Sequence, residues 1–427
     1  MEMKLENMES MAVLPHAKEW TFKELQELFS QKATDFSDIN NIFYKGKCSF
    51  FERIEERYSE EGKEFMKIYK HLQQLSLNII DIFPQKTIPF LKKLDKNIKY
   101  ELTRKQVALL ILLSFLNQIE DTRKNKNGFN VYWLLFSESN HSFEFGRCFL
   151  NYLTVIGKWL EQGKEDILNE KILYIRDSID SLEYKENKDI DLCELELHEE
   201  GSLFDGESEY CIDFANKYIG GGALTGGCVQ EEILFAVEPE AVASMFFMEV
   251  MDKNDAIGIF NTIEYSKYTG YAHDFKYKKS AITEDLKNIK RHKIIAIDAT
   301  NRASSYYYTY EQNLNRDIHK AYVGFNLINF ETEKNTNKTS ATGNWGCGAF
   351  GGNHELKFIE QWIAASFAGV KKLDYYTFNN LKMKAATMHY KEIKEKYKKA
   401  RSLYDEILKI LNIKFLFDEK IIKYLIK

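Results

Sequence analysis

Two adjacent carboxylates, Glu231 and Glu232, come directly after a glycine-rich loop. The stretch is YIGGGALTGGCVQEEILF, residues 218–235, and it holds five glycines within eight residues. Glycine permits backbone conformations that a side chain would block, so such a loop can approach a ligand closely. Carboxylates at the start of a helix are favoured by its positive end, and they can transfer protons. This order of residues predicts acid–base chemistry on a ligand that the loop encloses.

Two more glycine-bearing segments follow strand-like runs. ATGNWGCGAFGGN, residues 341–353, has five glycines but no lysine or arginine, and its backbone N–H groups suit a diphosphate. In EYSKYTGYAHDFKY, residues 264–277, most aromatics are expected to pack in a core, whereas Tyr271 after Gly270 is a candidate for stacking on a purine. Neither glycine loop has the P-loop or dinucleotide pattern, which argues against an NTPase or a dehydrogenase. Together the segments suit a nucleotide-diphosphate sugar.

Composition excludes several other functions. The chain has 59 basic and 64 acidic residues, a formal charge of −5, and so no bulk field that would attract nucleic acid or an anionic membrane. Its most apolar run, residues 107–116, is too short to span a bilayer. The six cysteines form no C-x-x-C pair and the nine histidines no metal-binding motif. We therefore expect free thiols, no metal and no cofactor.

The elements that must position these residues differ between the two halves of the chain. Up to about residue 165 the sequence reads as helices, with Thr21 and Thr103 as candidate N-caps. Residues 174–192 read as a charged surface connection, and the tail from about 385 is again helical. Candidate strands recur in between. They are residues 193–199, 210–214, 256–263, 293–299, 321–330 and 373–378. With helical stretches at 239–251 and 355–369, this alternation predicts an α/β domain.

The motifs resemble those of the poly(ADP-ribose) glycohydrolase family. The family signature of three glycines, a short spacer and Q-E-E is present as Gly220-Gly221-Gly222 and Gln230-Glu231-Glu232. DFANKYIGGG, KYTGYAHDF and ATGNWGCGAFGG also match in order, and the resemblance extends from about residue 85 to about 410. The family's TFGD reads Thr377-Phe378-Asn379-Asn380 in this chain.

The resemblance implies an α/β macrodomain, a mixed sheet flanked by helices, with an N-terminal all-helical accessory domain. Residues 1–170 would form the accessory domain, and residues 171–427 the ADP-ribose-binding macrodomain with its helical tail. The implied activity is hydrolysis of ribose–ribose O-glycosidic bonds in poly(ADP-ribose), which releases ADP-ribose. The implied partners are the polymer, ADP-ribose and poly(ADP-ribosyl)ated proteins. We expect a monomer in the nucleus, the cytoplasm or both, without direct DNA or membrane binding.

The resemblance also assigns site residues. Glu232 takes the position of the catalytic acid, Glu231 that of a neighbouring carboxylate that holds ribose hydroxyls, and Asp213 supports the catalytic loop. The substrate-binding positions are Asn216, Gly221, Gly222, Gln230, Tyr271, Asn344, Gly348, Ala349, Phe350 and Phe378.

Glu231 and Glu232 are neighbours in sequence, so we expect their side chains to diverge and to have different tasks. Glu232 would protonate the departing ribose oxygen and then deprotonate the attacking water. Two alternatives stay open: a macrodomain that binds ADP-ribose without catalysis, and a hydrolase of another ADP-ribose linkage. The sequence does not distinguish exo from endo cleavage.

Overall fold

The computed structural model describes residues 22–84, 88–119, 130–301, 309–330, 338–413 and 420–427. The candidate N-cap Thr21 lies outside these residues. All six cysteines are free, as predicted, and all of them are buried. Among the described helices, none has the length and apolar character needed to cross a membrane.

The first part of the chain is mainly helical. Its helices are α1 (Phe22–Phe29), α2 (Phe36–Tyr44), α3 (Ser49–Arg57), α4 (Ser59–Leu77), α5 (Ile79–Ile82), α6 (Arg104–Phe115), α7 (Tyr132–Phe136), α8 (Asn140–Glu161) and α9 (Glu165–Leu168). Thr103 caps α6 as predicted: the Gln106 N–H donates to its hydroxyl over 3.2 Å, and its own N–H donates to Gln106 Oε1 over 2.9 Å.

Ten strands lie within the described residues. They are β1 (Ile98–Thr103), β2 (Lys171–Ser178), β3 (Glu194–His198), β4 (Tyr210–Asp213), β5 (Asp255–Thr262), β6 (Ser266–Thr269), β7 (Lys276–Ser280), β8 (His292–Ala296), β9 (Thr339–Gly343) and β10 (Lys372–Tyr376). Eight of them form one sheet in the order β1-β2-β5-β8-β4-β9-β10-β3, and β6 pairs with β7. The sheet is mixed, because β8, β4, β9, β10 and β3 run parallel while β1, β2, β5 and β8 pair antiparallel.

The remaining helices flank the sheet. They are α10 (Gln230–Val237), α11 (Ser244–Phe247), α12 (Tyr310–Asn326), α13 (His354–Phe367), α14 (Lys384–Tyr397), α15 (Ala400–Ile413) and α16 (Ile421–Leu425). One hydrophobic core joins α10 to the N-terminal helices, and a second core packs α12, α13 and α15 together. The predicted mixed sheet flanked by helices is therefore confirmed.

Two strands lie where the sequence indicated other structure. Strand β1 comes from the mainly helical part and pairs antiparallel with β2. Residues 174–178 were predicted as surface connection but belong to β2, and Arg176 within them is fully buried. Its guanidinium Nη2 pairs with Asp255 Oδ2 over 2.6 Å. The charge pattern was misleading because Asp255, which is distant in the sequence but lies on the neighbouring strand, neutralises the buried cation.

Residues 321–330 are not the predicted strand. They form the end of α12 and a 3-10 turn, Leu327–Phe330. Leu314, Ile318, Ala321 and Phe325 are all buried, and this spacing places them on one helix face. The segment 321–330 taken alone does not show this helical spacing, because the pattern begins before it, at Leu314. The stretch 239–251 is helical over a shorter range than predicted, as a 3-10 turn (Pro239–Ala243) followed by α11.

Candidate active site

A cavity of about 1040 Å³ opens at the carboxyl ends of the parallel strands β4, β9 and β10. Ligand sites of open α/β sheets lie at such strand ends. Ten of the sequence-predicted site residues line it. They are Asn216, Gln230, Glu231, Glu232, Tyr271, Asn344, Gly348, Ala349, Phe350 and Phe378. Asp213, Gly221 and Gly222 are not among the lining residues; Asp213 is fully buried, and the two glycines lie next to the carboxylates of Glu231 and Glu232.

The Q-E-E segment forms the first turn of α10, and backbone N–H groups of the preceding loop hold its side chains. The N–H of Phe214 donates to Gln230 Oε1 over 2.8 Å. The N–H of Asn216 donates to Glu231 Oε2 over 2.8 Å, and that of Gly220 donates to Glu231 Oε1 over 2.7 Å. The loop after β4 is thereby tied to the start of α10 through two side chains.

Glu232 has a comparable pair of donors. The N–H of Gly222 donates to Oε1 over 2.9 Å, and the N–H of Val229 donates to Oε2 over 2.9 Å. Glu232 is 7% exposed and Glu231 is 2% exposed. Both carboxylates are therefore fixed in position and nearly excluded from solvent, with Glu232 the more accessible of the two.

Gly221 is the point on which both carboxylates converge. A Cβ at this position would lie 2.5 Å from Glu232 Oε1 and 2.6 Å from Glu231 Oε2. The expected divergence of the two side chains is therefore wrong for their carboxylate ends. Gly221 has φ +50°, a conformation that side chains disfavour. Glycine is required here both by the backbone conformation and by the lack of space.

Asp213, the last residue of β4, brings a third carboxyl group to the site. It is fully buried, and neither of its oxygens has a hydrogen-bond partner among the described residues. Burial, and then the charge of Glu232, raise the pKa of Asp213 well above its usual value. Burial, and then Asp213, likewise raise the pKa of Glu231, against the opposing effect of its backbone donors. Asp213 and Glu231 therefore keep their protons to higher pH than freely solvated carboxyl groups would.

The glycine loop between β9 and α13 forms another wall. The buried Trp345 fixes its base by donating from Nε1 to the Ile297 carbonyl over 2.8 Å. Asn344 Nδ2 donates to the Thr377 carbonyl over 3.1 Å, which ties the loop to the end of β10. A Cβ on Gly348 would have no atom within 4 Å, so open space lies above this residue.

The glycine loop has no lysine or arginine, so its positive potential comes from backbone N–H groups. Asn353 caps α13 by accepting the Leu356 N–H at Oδ1 over 2.9 Å, so the loop leads into a helix N-terminus. The first lysine after the loop, Lys357, is buried in ion pairs with Asp317 and Glu360. An anion in this part of the cavity would therefore meet backbone N–H groups and the positive end of α13.

Aromatic rings lie at the rim of the cavity. Tyr271 is 58% exposed and Phe378 is 44% exposed. By contrast, Tyr268 stacks on Phe275 with ring centroids 5.1 Å apart, so its ring supports the local fold. Gly270 precedes Tyr271 with φ +80°, and a Cβ there would lie 2.0 Å from the Asp274 carbonyl oxygen. This tight turn places the exposed ring of Tyr271 at the cavity.

Residues 201–205 and Lys267 also line the cavity. The resemblance pointed to the segment 200–210 without assigning residues in it, and it did not point to Lys267. Lys267 Nζ pairs with Glu264 at 2.6 Å and lies 3.8 Å from Asp205. Their contribution depends on β6 lying beside the loop after β3, and no local pattern encodes that proximity. The available signal was a lysine directly before Tyr268 and four positions before Tyr271.

Models of one protein family match most of the chain. The helical domain of poly(ADP-ribose) glycohydrolase matches residues 57–176, and its catalytic region with the macro domain fold matches residues 182–385. The chain belongs to the poly(ADP-ribose) glycohydrolase family. The predicted resemblance and the predicted macrodomain with an N-terminal helical domain are therefore confirmed. The helical part differs from the all-helical expectation in supplying β1 to the sheet.

Named poly(ADP-ribose) glycohydrolases are among the similar proteins. A probable poly(ADP-ribose) glycohydrolase 2 of Arabidopsis thaliana is 30% identical over 327 residues, which cover 65% of this chain and 62% of the relative. Poly(ADP-ribose) glycohydrolase 1 of the same plant is 34% identical over 257 residues, or 44% of this chain and 47% of the relative. The chain thus spans less than two thirds of the length of either relative.

A solved structure from the same family is also similar. It is the poly(ADP-ribose) glycohydrolase of Thermomonospora curvata bound to the inhibitor ADP-HPD, with 18% sequence identity and a TM-score of 0.33. The match covers 44% of this chain and 74% of that chain.

Proposed function

We propose that this chain hydrolyses ribose–ribose O-glycosidic bonds in poly(ADP-ribose) and releases ADP-ribose. The observation that carries the proposal is the convergence of Glu231 and Glu232 on Gly221, at the wall of a cavity that also has an anion-binding loop and an exposed tyrosine. Family membership and the named relatives support the same reaction.

The cavity accounts for each part of an ADP-ribose unit. Tyr271 offers an exposed ring to the adenine. The loop that contains Gly348, Ala349 and Phe350 offers backbone donors to the diphosphate. The terminal ribose then lies between Asn216 and the two glutamates, with Phe378 packed near the ligand. In this arrangement the scissile bond lies beside the two glutamates that converge on Gly221.

In the proposed reaction Glu232 gives up one proton and later recovers one. Glu232 protonates the oxygen of the departing ribose as the bond from the anomeric carbon to that oxygen breaks. Positive charge develops on the remaining ribose and is stabilised by the diphosphate in the glycine loop. Water then attacks the anomeric carbon and gives its proton to Glu232, which restores the acid. Product formation consumes one water and leaves the enzyme unchanged.

Glu231 and Asp213 support this step differently. Both oxygens of Glu231 accept backbone N–H groups of the loop, so this residue positions the loop and holds ribose hydroxyls at the cavity wall. Asp213 is fully buried and has no hydrogen-bond partner among the described residues, and burial raises its pKa well above the usual value. Its protonated form is therefore favoured beside the two glutamates.

We further propose that the chain acts on poly(ADP-ribosyl)ated proteins as a monomer, in the nucleus, the cytoplasm or both, and without direct DNA binding. Its net charge of −5 supports capture of a chain end or a short stretch by local contacts rather than by long-range attraction.

Incubation with purified poly(ADP-ribose) tests the proposal, with free ADP-ribose and shortened oligomers scored separately. We expect free ADP-ribose as a product and near-complete loss of it with Glu232→Gln. A protein that binds ADP-ribose but leaves the polymer intact would be a non-catalytic reader. Release of ADP-ribose from singly modified protein alone would assign the chain to another linkage, and either result would overturn the proposal.

A further inference from the structure

Three potential metal ligands from distant parts of the chain meet beside the catalytic loop. His141 lies in the first turn of α8, Cys228 in the glycine loop just before Gln230, and His273 in the 3-10 turn after Tyr271. Each offers a ligand atom, and the three atoms lie within 4.8 Å of one another. The sequence indicated no metal site because these residues have no characteristic spacing along the chain.

Two of the three separations between ligand atoms are close to those around a tetrahedral zinc ion. His141 Nδ1 lies 3.3 Å from His273 Nδ1, and Cys228 Sγ lies 3.8 Å from His273 Nδ1. With Zn–N of about 2.0–2.1 Å and Zn–S of about 2.3 Å, a tetrahedron has N···N edges of about 3.4 Å and N···S edges of about 3.6 Å. Small side-chain rotations would bring all three ligand atoms to one ion.

The tautomer of His141 is already suited to metal binding. Its Nε2 lies 3.0 Å from the carbonyl oxygen of Gly226. A carbonyl can only accept a hydrogen bond, so Nε2 carries the proton and Nδ1 presents its lone pair to His273 and Cys228. A ring N–H held by a backbone carbonyl is the usual arrangement around metal-bound histidine.

Access and ligand chemistry agree with this geometry. His141 and Cys228 are buried, whereas His273 is exposed, so the cluster is open to solvent on one side. Two imidazoles and a thiolate bind Zn²⁺ more favourably than they bind hard cations such as Mg²⁺ or Ca²⁺. Water can supply the fourth ligand. The other described cluster of this kind, Glu196, His198 and Asp374, already pairs with Lys372.

We propose that His141, Cys228 and His273 bind a single Zn²⁺ ion. The ion links α8 of the helical domain to the glycine loop and to the turn that carries Tyr271. It therefore restrains the loop whose N–H groups hold Glu231 and Glu232, and it couples zinc availability to the rigidity of the cavity. The proposal does not depend on which linkage the cavity hydrolyses.

Metal titration of the full chain tests the site. After chelator treatment and dialysis, we expect one equivalent of Co²⁺ to give a thiolate charge-transfer band in the near ultraviolet and tetrahedral bands in the visible, both removed by Zn²⁺. Cys228→Ser should lose the charge-transfer band. His273→Gln, at an exposed position, should weaken Zn²⁺ binding at least about tenfold, a loss that removal of a ligand's hydrogen-bond partner already causes.

His389→Gln is the matched control, because His389 is a surface residue that pairs with Glu392 over 3.0 Å. It should bind Zn²⁺ like the unaltered chain. Circular dichroism of each apo variant shows whether folding is retained, and zinc should raise the Tm of the unaltered chain more than that of His273→Gln. Failure of the unaltered chain to bind Co²⁺ or Zn²⁺, or equal affinity in all variants, would overturn the proposal.

Discussion

The side chain of Glu232 packs directly against Gly227. A Cβ added to Gly227 would lie 2.8 Å from the Cγ, Cδ and Oε1 atoms of Glu232. Gly227→Ala should therefore displace the carboxylate rather than strain the backbone, since this glycine does not have a left-handed φ. We expect kcat on poly(ADP-ribose) to fall by about 10²-fold, the effect of a displacement of about 1 Å in a catalytic group.

A double-mutant cycle separates this effect from general damage to the loop. If Gly227→Ala acts through Glu232, it should add little to the loss already caused by Glu232→Gln. Losses that multiply in the double variant would instead show that Gly227 acts independently of that carboxylate.

Glu232→Gln and Glu231→Gln should have different kinetic effects. Each amide keeps one oxygen to accept a backbone N–H and loses the second acceptor, so the structural damage is similar. Loss of the proton donor at Glu232 should lower kcat by about 10²–10⁴-fold with ADP-ribose binding retained. Glu231→Gln should mainly raise KM. Steady-state kinetics and ADP-ribose titration measure these effects in both variants. A loss of kcat in Glu231→Gln and a raised KM in Glu232→Gln would mean that the two residues have the opposite roles.

Asp213→Asn should change how stability depends on pH. Above the ordinary aspartate pKa of 3.8, the unfolded chain loses this proton while the folded chain, whose pKa is raised, keeps it. Stability of the unaltered protein therefore falls as pH increases through this range, up to the folded-state pKa. Asparagine does not titrate, so the Tm of Asp213→Asn relative to that of the unaltered chain should increase with pH. Thermal melts of both proteins at several pH values measure this. A Tm difference that stays constant with pH would contradict the prediction.

Glu240→Gln should destabilise the junction between the helical domain and the sheet. The fully buried Arg104 at the start of α6 forms an ion pair with Glu240, which also accepts the Tyr265 hydroxyl over 2.6 Å. Removing one charge of a buried pair costs about 3–5 kcal/mol. Glu170→Gln is the control, because Glu170 also contacts Arg104 but is 31% exposed and should cost under about 1 kcal/mol. Equal losses in urea unfolding would contradict this account.

Most residues that line the cavity could be predicted because contiguous segments of the sequence carry them. Each of the three segments combines a strand end, a glycine-dependent turn and the functional side chain, as in Asp213 to Glu232. The helical cap at Thr103 was predictable for the same local reason. Convergence of the two glutamates on Gly221 was not, because it depends on how the loop folds back over the helix start.

Features that depend on distant pairing were missed. The charge of Arg176 suggested that β2 is exposed, because its partner Asp255 in β5 is distant in the sequence. The cluster of His141, Cys228 and His273 likewise exists only after α8 has packed against the macrodomain. Burial of charge and assembly of ligands are properties of the packed chain, and local periodicity does not encode them.

Tyr271→Ala should weaken ADP-ribose binding without affecting the fold. The ring is 58% exposed, and surface substitutions of this kind change stability by under about 0.5 kcal/mol. Loss of stacking on a base costs about 1–3 kcal/mol, which corresponds to about 5–150-fold in Kd. Tyr271→Phe keeps the aromatic face and should retain the affinity. Calorimetric titration with ADP-ribose measures both variants, and an equal loss in the two would mean that the hydroxyl, rather than the ring face, holds the ligand.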